Sequence, residues 1–228
     1  MILDDCLEKT HESLVKKIYE NAVMPVVVAS DADEALFVAN AISNAGIKCI
    51  EITYRTSAAT EAIKLIKKEI PDMCVGAGTI RCIAQLKEAV NAGAEYIITP
   101  GYNEAVVAYC VKNGIFIIPG CMDTASIEKA VSQGLHILKF FPAEYVGGTK
   151  MLKALRGPYS DVKFMPTGGI NEKNIESYLG LDNVIACGGS WMVSEKLIKN
   201  KAYNEIEKLS REALCLSLIH ISEPTRPY

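Results

Sequence analysis

The stretch VKFMPTGGINEKNIESYLGLDNVIACGGS, Val162 to Ser190, contains two short β-rich apolar runs. One closes on Gly168-Gly169 and the other on Gly188-Gly189-Ser190. They are the last of eight such runs. The others begin at Met24 (MPVVVAS), Ile47 (IKCIEIT), Met73 (MCVGAGT), Glu95 (EYIITPG), Ile115 (IFIIPGC) and Ile137 (ILKFFP). Successive starts lie 20 to 26 residues apart, the spacing of strand–helix units that build a parallel sheet. An open doubly wound sheet has fewer strands and carries its glycine fingerprint near the N-terminus. Eight units with the glycines late point instead to one (β/α)8 barrel, whose phosphate site recurs in the loops after strands seven and eight.

The intervening segments read as helices. Asp31–Ala45 opens with capping residues and sets Leu36, Ala39 and Ile42 at helical spacing, and Ser57–Ile70 stops at Pro71. Ile83–Ala92, Asn103–Lys112 and Ser126–Ser132 follow, with a short helix expected in Gly147–Gly157. Asp4–Glu20 reads as an extra helix ahead of the first strand. The barrel is expected to occupy residues 1–213. From residue 214 the sequence LCLSLIHISEPTRPY leaves the charged helical pattern and ends with two prolines. It reads as a disordered or vector-derived tail, and His220 is set aside with it.

Half of the 228 residues are hydrophobic, 22% are charged and the net charge is −3. That is an ordinary globular balance without a basic tract, so nucleic acid is not an expected partner. No apolar run approaches the roughly 20 residues of a bilayer span, and the acidic start Met1-Ile-Leu-Asp-Asp5 lacks a signal-peptide core. The eight cysteines are scattered with no C-x-x-C pair, as expected of reduced thiols in a cytoplasmic protein. Of the three histidines, His11, His136 and His220, no two have metal-ligand spacing.

In such a barrel the chemistry sits at the C-terminal strand ends. Strand two supplies Glu51, Thr53 and Arg55, which alternate onto one face. Strand six supplies Lys139 among Ile137, Leu138, Phe140 and Phe141. At the unperturbed pKa, about one lysine in 2,500 is neutral at pH 7. Desolvation raises that fraction and makes the amine a nucleophile toward carbonyls. Taken alone, Lys139 reads equally as the partner of Glu51 in a buried ion pair, or as a side chain reaching out to solvent at the strand end. The glycine pairs after strands seven and eight add a phosphate-binding surface, since glycine lets backbone N–H groups approach an anion. His136, Tyr54 and Trp191 read as edge or packing residues.

The runs Glu51-Ile-Thr-Tyr-Arg55, Val75-Gly-Ala-Gly-Thr79, Ile98-Thr-Pro-Gly101, Lys139-Phe-Phe-Pro-Ala-Glu144, Pro166-Thr-Gly-Gly-Ile170 and Gly188-Gly-Ser-Trp191 occur in order. Together they resemble the 2-keto-3-deoxy-6-phosphogluconate (KDPG) / 4-hydroxy-2-oxoglutarate (KHG) aldolase family over about residues 12–211. The resemblance implies a class I lyase that needs no metal or other cofactor and acts on a small 2-keto acid. Lys139 matches the Schiff-base lysine and Glu51 the general acid/base. Arg55 and Thr79 match the residues that hold the pyruvate carboxylate, and Phe141 lines the same pocket. Thr167, Gly168, Gly169, Gly189 and Ser190 match the region for the distal hydroxyls and phosphate. The family also implies a homotrimer.

Two departures bear on substrate choice. Pro119-Gly-Cys-Met-Asp123-Thr124-Ala-Ser replaces a Thr-Pro pair common before Ser/Thr-Glu, and Val27-Val28-Ala29 lacks an arginine that many members carry. Two other readings compete: a different phosphate-binding barrel enzyme, such as an isomerase or synthase, and a non-catalytic phosphate-ligand-binding barrel.

Overall fold

Strands β1 (Val23–Val27), β2 (Cys49–Thr53) and β3 (Cys74–Gly78) are buried at every position. That pattern needs cover on both faces, as parallel strands have when helices connect them. The computed structural model describes residues 2–221, with side chains described for 10–217. Helix α1 (Ile2–Asn21) precedes β1, and α2 (Ala32–Asn44) and α3 (Ala59–Glu69) follow β1 and β2. Next come α4 (Ile83–Asn91), β4 (Tyr96–Ile98), α5 (Glu104–Lys112), β5 (Ile117–Ile118), α6 (Thr124–Val131) and β6 (Ile137–Phe140). The chain continues with α7 (Gly148–Leu155), β7 (Lys163–Pro166), α8 (Ile175–Leu179), β8 (Cys187–Gly189), α9 (Glu195–Lys199) and α10 (Tyr203–Ile221). The eight strands fall in the eight runs read from the sequence.

Every strand pair is parallel. Six strands form a curled sheet in the order β5-β4-β3-β2-β1-β8, and β6 and β7 form a second sheet. Single parallel bridges join the two at both margins: Gly120 to Lys139 on one side, Phe164 to Val184 and Thr167 to Gly188 on the other. Apolar stripes of the helices cover the outside. Helix α3, for example, buries Ala59, Ala62, Ile63 and Ile66, each large side chain contributing roughly 1.5–3 kcal/mol relative to exposure. A smaller cluster inside the sheet packs Leu14 and Ile18 of α1 against Met24, Cys49, Cys74, Tyr96 and Met165.

Helix starts follow their caps. Asp31 accepts the Glu34 N–H, Asn103 the Val106 N–H and Asp123 the Ser126 N–H. Ser126, expected to open α6, is instead the third residue of the helix and closes a capping box that Asp123 begins. Nor does Ser57 cap α3, which starts at Ala59 without a side-chain cap.

The expected break after Ala213 coincides with no element boundary. Helix α10 runs through it; Leu214 and Leu216 pack on the core, and the Ser217 hydroxyl donates to the Leu214 and Asn21 carbonyls. Residues 222–228, and the side chains of Cys6 and His220, lie outside the described residues.

Candidate active site

Glu51 lies mid-strand on β2 and Lys139 on β6, 88 residues apart in sequence. The Lys139 Nζ donates to Glu51 Oε1 at 3.3 Å, with the side chains 5% and 1% exposed. The outward-reaching alternative for Lys139 is thereby removed. Glu51 Oε2 is buried without any hydrogen-bond partner, an expensive state for a carboxylate oxygen, and it marks where a substrate hydroxyl or water can bind. The carboxylate reaches this place because β3 carries no side chain at Gly78, the register partner of Thr53. A Cβ on Gly78 would stand 1.9 Å from Glu51 Oε1.

Phe141 lies beside both the Lys139 amine and an adjoining cavity. Its ring centroid lies 5.4 Å from Lys139 Nζ, and it lines a cavity of about 380 Å³. Arg55, Thr167, Gly168, Gly169, Gly189 and Ser190 line the same cavity, together with Val193, Ser194 and Glu195. The structure thus gathers one predicted group of residues around a single opening. Arg55 reaches it differently from expectation: β2 ends at Thr53, so Arg55 is an exposed loop residue instead of a strand neighbour of Glu51. The Thr53 hydroxyl donates to the Val27 carbonyl. Thr79 is half-buried just after β3, with φ +59°, and is not among the residues lining this cavity.

A second cavity of about 350 Å³ lies across Phe141, bordered by Pro100, Tyr102, Met122, Asp123 and Lys129. It involves the same loop after β5 that departs from the family pattern. No local pattern marks it, because its walls combine the loops after β4 and β5, the first turns of α6 and Phe141.

The residues read as packing or edge groups have ordinary partners. Tyr54 Oη is 3.1 Å from Thr60 Oγ1, and the His136 Nδ1 pairs with Asp161 at 3.0 Å on the surface. The Trp191 ring occupies the space beside Gly189. Burial raises the thiol pKa of Cys110 and of Cys121 to about 12. Among the described residues, no group of three or more His, Cys, Asp or Glu side chains is placed to hold a metal ion, and no helix is long and apolar enough to cross a membrane.

The family model for KDPG and KHG aldolase matches residues 14–209. The chain belongs to the KDPG/KHG aldolase family. It is 43% identical over 192 residues to the 2-dehydro-3-deoxy-phosphogluconate aldolase of Treponema pallidum, covering 84% of this chain and 91% of that protein. It is 41% identical to the KHG/KDPG aldolase of Escherichia coli K12, covering 84% and 90%. Among solved structures, it is similar to the KDPG aldolase of Legionella pneumophila with pyruvate captured as a covalent carbinolamine. That match has a TM-score of 0.85 and 39% identity and covers 87% of this chain and 97% of that one. The KDPG aldolase of Zymomonas mobilis ZM4 with 3-phosphoglycerate aligns at a TM-score of 0.83 and 33% identity, covering 89% and 95%. Members of this family are (β/α)8 barrels, and the curled parallel sheet described above conforms to that architecture.

Proposed function

We propose that this chain is a class I aldolase. It cleaves KDPG to pyruvate and glyceraldehyde 3-phosphate, 4-hydroxy-2-oxoglutarate to pyruvate and glyoxylate, or both. The observation that carries the reading is the buried Lys139–Glu51 pair, 3.3 Å apart, next to Phe141, which also lines a cavity with glycine-rich walls. Family membership and the relatives named above support it.

A proton passes from the Lys139 ammonium to Glu51 across their contact, and the freed amine attacks the C2 carbonyl of the keto acid. Glu51 returns that proton to the carbinolamine hydroxyl, which leaves as water, and the resulting iminium acts as an electron sink. Glu51, through its open oxygen or a bound water, takes the proton of the C4 hydroxyl as the C3–C4 bond breaks. The aldehyde departs, Glu51 returns a proton to C3 of the enamine, and hydrolysis releases pyruvate and the free lysine. Arg55 offers a forked donor for a carboxylate, with Thr79 assigned to the same end. Phe141 walls the pocket, and Thr167, Gly168, Gly169, Gly189 and Ser190 take the distal hydroxyls and phosphate. Binding at both ends orients the scissile bond.

The two sheets together with their bridges are read as one closed barrel, with α1 as an extra helix across one end. A cytoplasmic homotrimer is the assembly expected from the family, and sedimentation of the full chain tests it. Borohydride reduction in the presence of pyruvate tests the chemistry. The expected result is a reduced pyruvyl adduct on Lys139, absent in Lys139→Ala, with Glu51→Gln still forming some adduct while turning over slowly. No adduct in the native chain, or full activity in Lys139→Ala, would remove the Schiff-base mechanism.

A further inference from the structure

Glu144 is an exposed residue in the turn after β6, and the proposed chemistry leaves it without a task. Yet it meets the loop after β7 in three ways. Its backbone N–H donates to the Gly168 carbonyl at 3.1 Å, next to the bond from the Ala143 N–H to the Thr167 carbonyl at 2.8 Å. The Glu144 side chain also fills the space beside Gly169, where a Cβ would lie 2.6 Å from its Cγ. Finally, its Oε1 accepts a hydrogen bond from the hydroxyl of Tyr178, a fully buried residue of α8. The other side of the loop is fixed as well. The Gly169 carbonyl accepts from Asn171 Nδ2 at 3.1 Å and from Asn174 Nδ2 at 3.0 Å.

These contacts set the direction of the intervening N–H groups. In a planar trans peptide the N–H points opposite to the carbonyl of the same unit. Holding the Gly168 carbonyl on Glu144 turns the Gly169 N–H away from it. Holding the Gly169 carbonyl on the two asparagines does the same for the Ile170 N–H. Gly168, Gly169 and Ile170 all line the cavity that Phe141 borders. The positive φ of Gly168 (+97°) and Gly169 (+82°) makes this an arrangement that side-chain-bearing residues rarely adopt.

We infer that Glu144, braced by Tyr178, is a positioning residue: it clamps the Gly168–Gly169 loop so that its N–H groups are preset for the anionic far end of a phosphorylated substrate. The inference rests on the aldolase reading for its substrate and on the loop geometry for its mechanism. A preset donor array favours ligands with that anion and leaves the lysine chemistry at the other end unchanged.

The test compares Tyr178→Phe, Glu144→Ala and Glu144→Gln in the full chain. It measures cleavage of KDPG and of 4-hydroxy-2-oxoglutarate, borohydride trapping of pyruvate, and calorimetric affinity for inorganic phosphate. Tyr178→Phe and Glu144→Ala are expected to lose about tenfold in kcat/KM on KDPG, mainly through KM, and a similar factor in phosphate affinity. Cleavage of 4-hydroxy-2-oxoglutarate and trapping of pyruvate stay within about twofold. Glu144→Gln keeps an acceptor for Tyr178 and recovers most of the loss. Equal losses on both substrates, or unchanged phosphate affinity in both disruptive variants, would overturn the clamp. A native chain that binds phosphate but traps no pyruvate would overturn the aldolase reading instead, and the calorimetric comparison would still decide the clamp.

Discussion

Gly78→Ala isolates the importance of where Glu51 is held, because it alters neither Glu51 nor Lys139. The added methyl would stand 1.9 Å from Glu51 Oε1, 2.5 Å from Cδ and 2.6 Å from Cγ. Gly78 does not have positive φ, so alanine suits the backbone and the whole effect is the collision. Ordinary contact begins near 3.4 Å, so the carboxylate must retreat by about 1.5 Å, or β3 must shift by a comparable amount. A displacement of about 1 Å at a reacting group costs on the order of 10²-fold. Crowding a packed interior costs about 2 kcal/mol, or roughly 4–8 °C in Tm for a chain of this size. The expected variant is therefore folded, melts somewhat lower, and has kcat reduced about 10²-fold. It still forms the borohydride-trapped pyruvate adduct, at a slower rate. Pyruvate release coupled to NADH oxidation reads kcat, and mass spectrometry reads the adduct. A folded Gly78→Ala chain with kcat within about threefold of the parent would refute the claim that this glycine places the catalytic carboxylate.

Alkylation of the native chain with iodoacetamide, mapped by peptide mass spectrometry, is expected to label Cys82 and Cys215, which are exposed. Cys49, Cys74, Cys110, Cys121 and Cys187 are buried and should stay unlabelled until denaturant is added; labelling of Cys110 in the native chain would contradict the burial that raises its thiol pKa. Glu95→Ala removes a carboxylate that holds both Lys67 Nζ at 2.7 Å and the Val75 N–H at 3.2 Å, and should lower urea stability by about 1–2 kcal/mol. Truncation after Ala213 removes the packing of Leu214 and Leu216 and the Ser217 bond to Asn21. It should destabilise the chain by about 2 kcal/mol or more, and unchanged thermal unfolding would support the expected boundary at 213.

Much of this arrangement was legible in the sequence because strand runs and glycine pairs are local signals. Lys139 was conspicuous as one charge among aliphatics, and Glu51 shared a strand with recognisable neighbours. Gly78 was not legible as the seat of the Glu51 carboxylate, since one glycine in Val75-Gly-Ala-Gly-Thr79 looks like any turn glycine. The Glu144–Tyr178 contact links residues 34 apart on two different elements, which no periodicity reveals. Extending the strand alternation to Arg55 reaches two residues too far. The peptide beyond Thr53 had already turned, and strand alternation carries no information once the ladder ends.

The Lys139–Glu51 pair also has a meaning for assembly. Glu51 belongs to the six-stranded sheet and Lys139 to the separate two-stranded one. Neither sheet alone holds an acid and an amine within reach of each other. A fragment ending before β6 has a carboxylate with no nucleophile, and a fragment starting after β5 has the reverse. On the proposed chemistry, adduct formation gauges the meeting of the two sheets: a chain is expected to label itself with pyruvate at the rate of a native site only once β2 and β6 have met across the site.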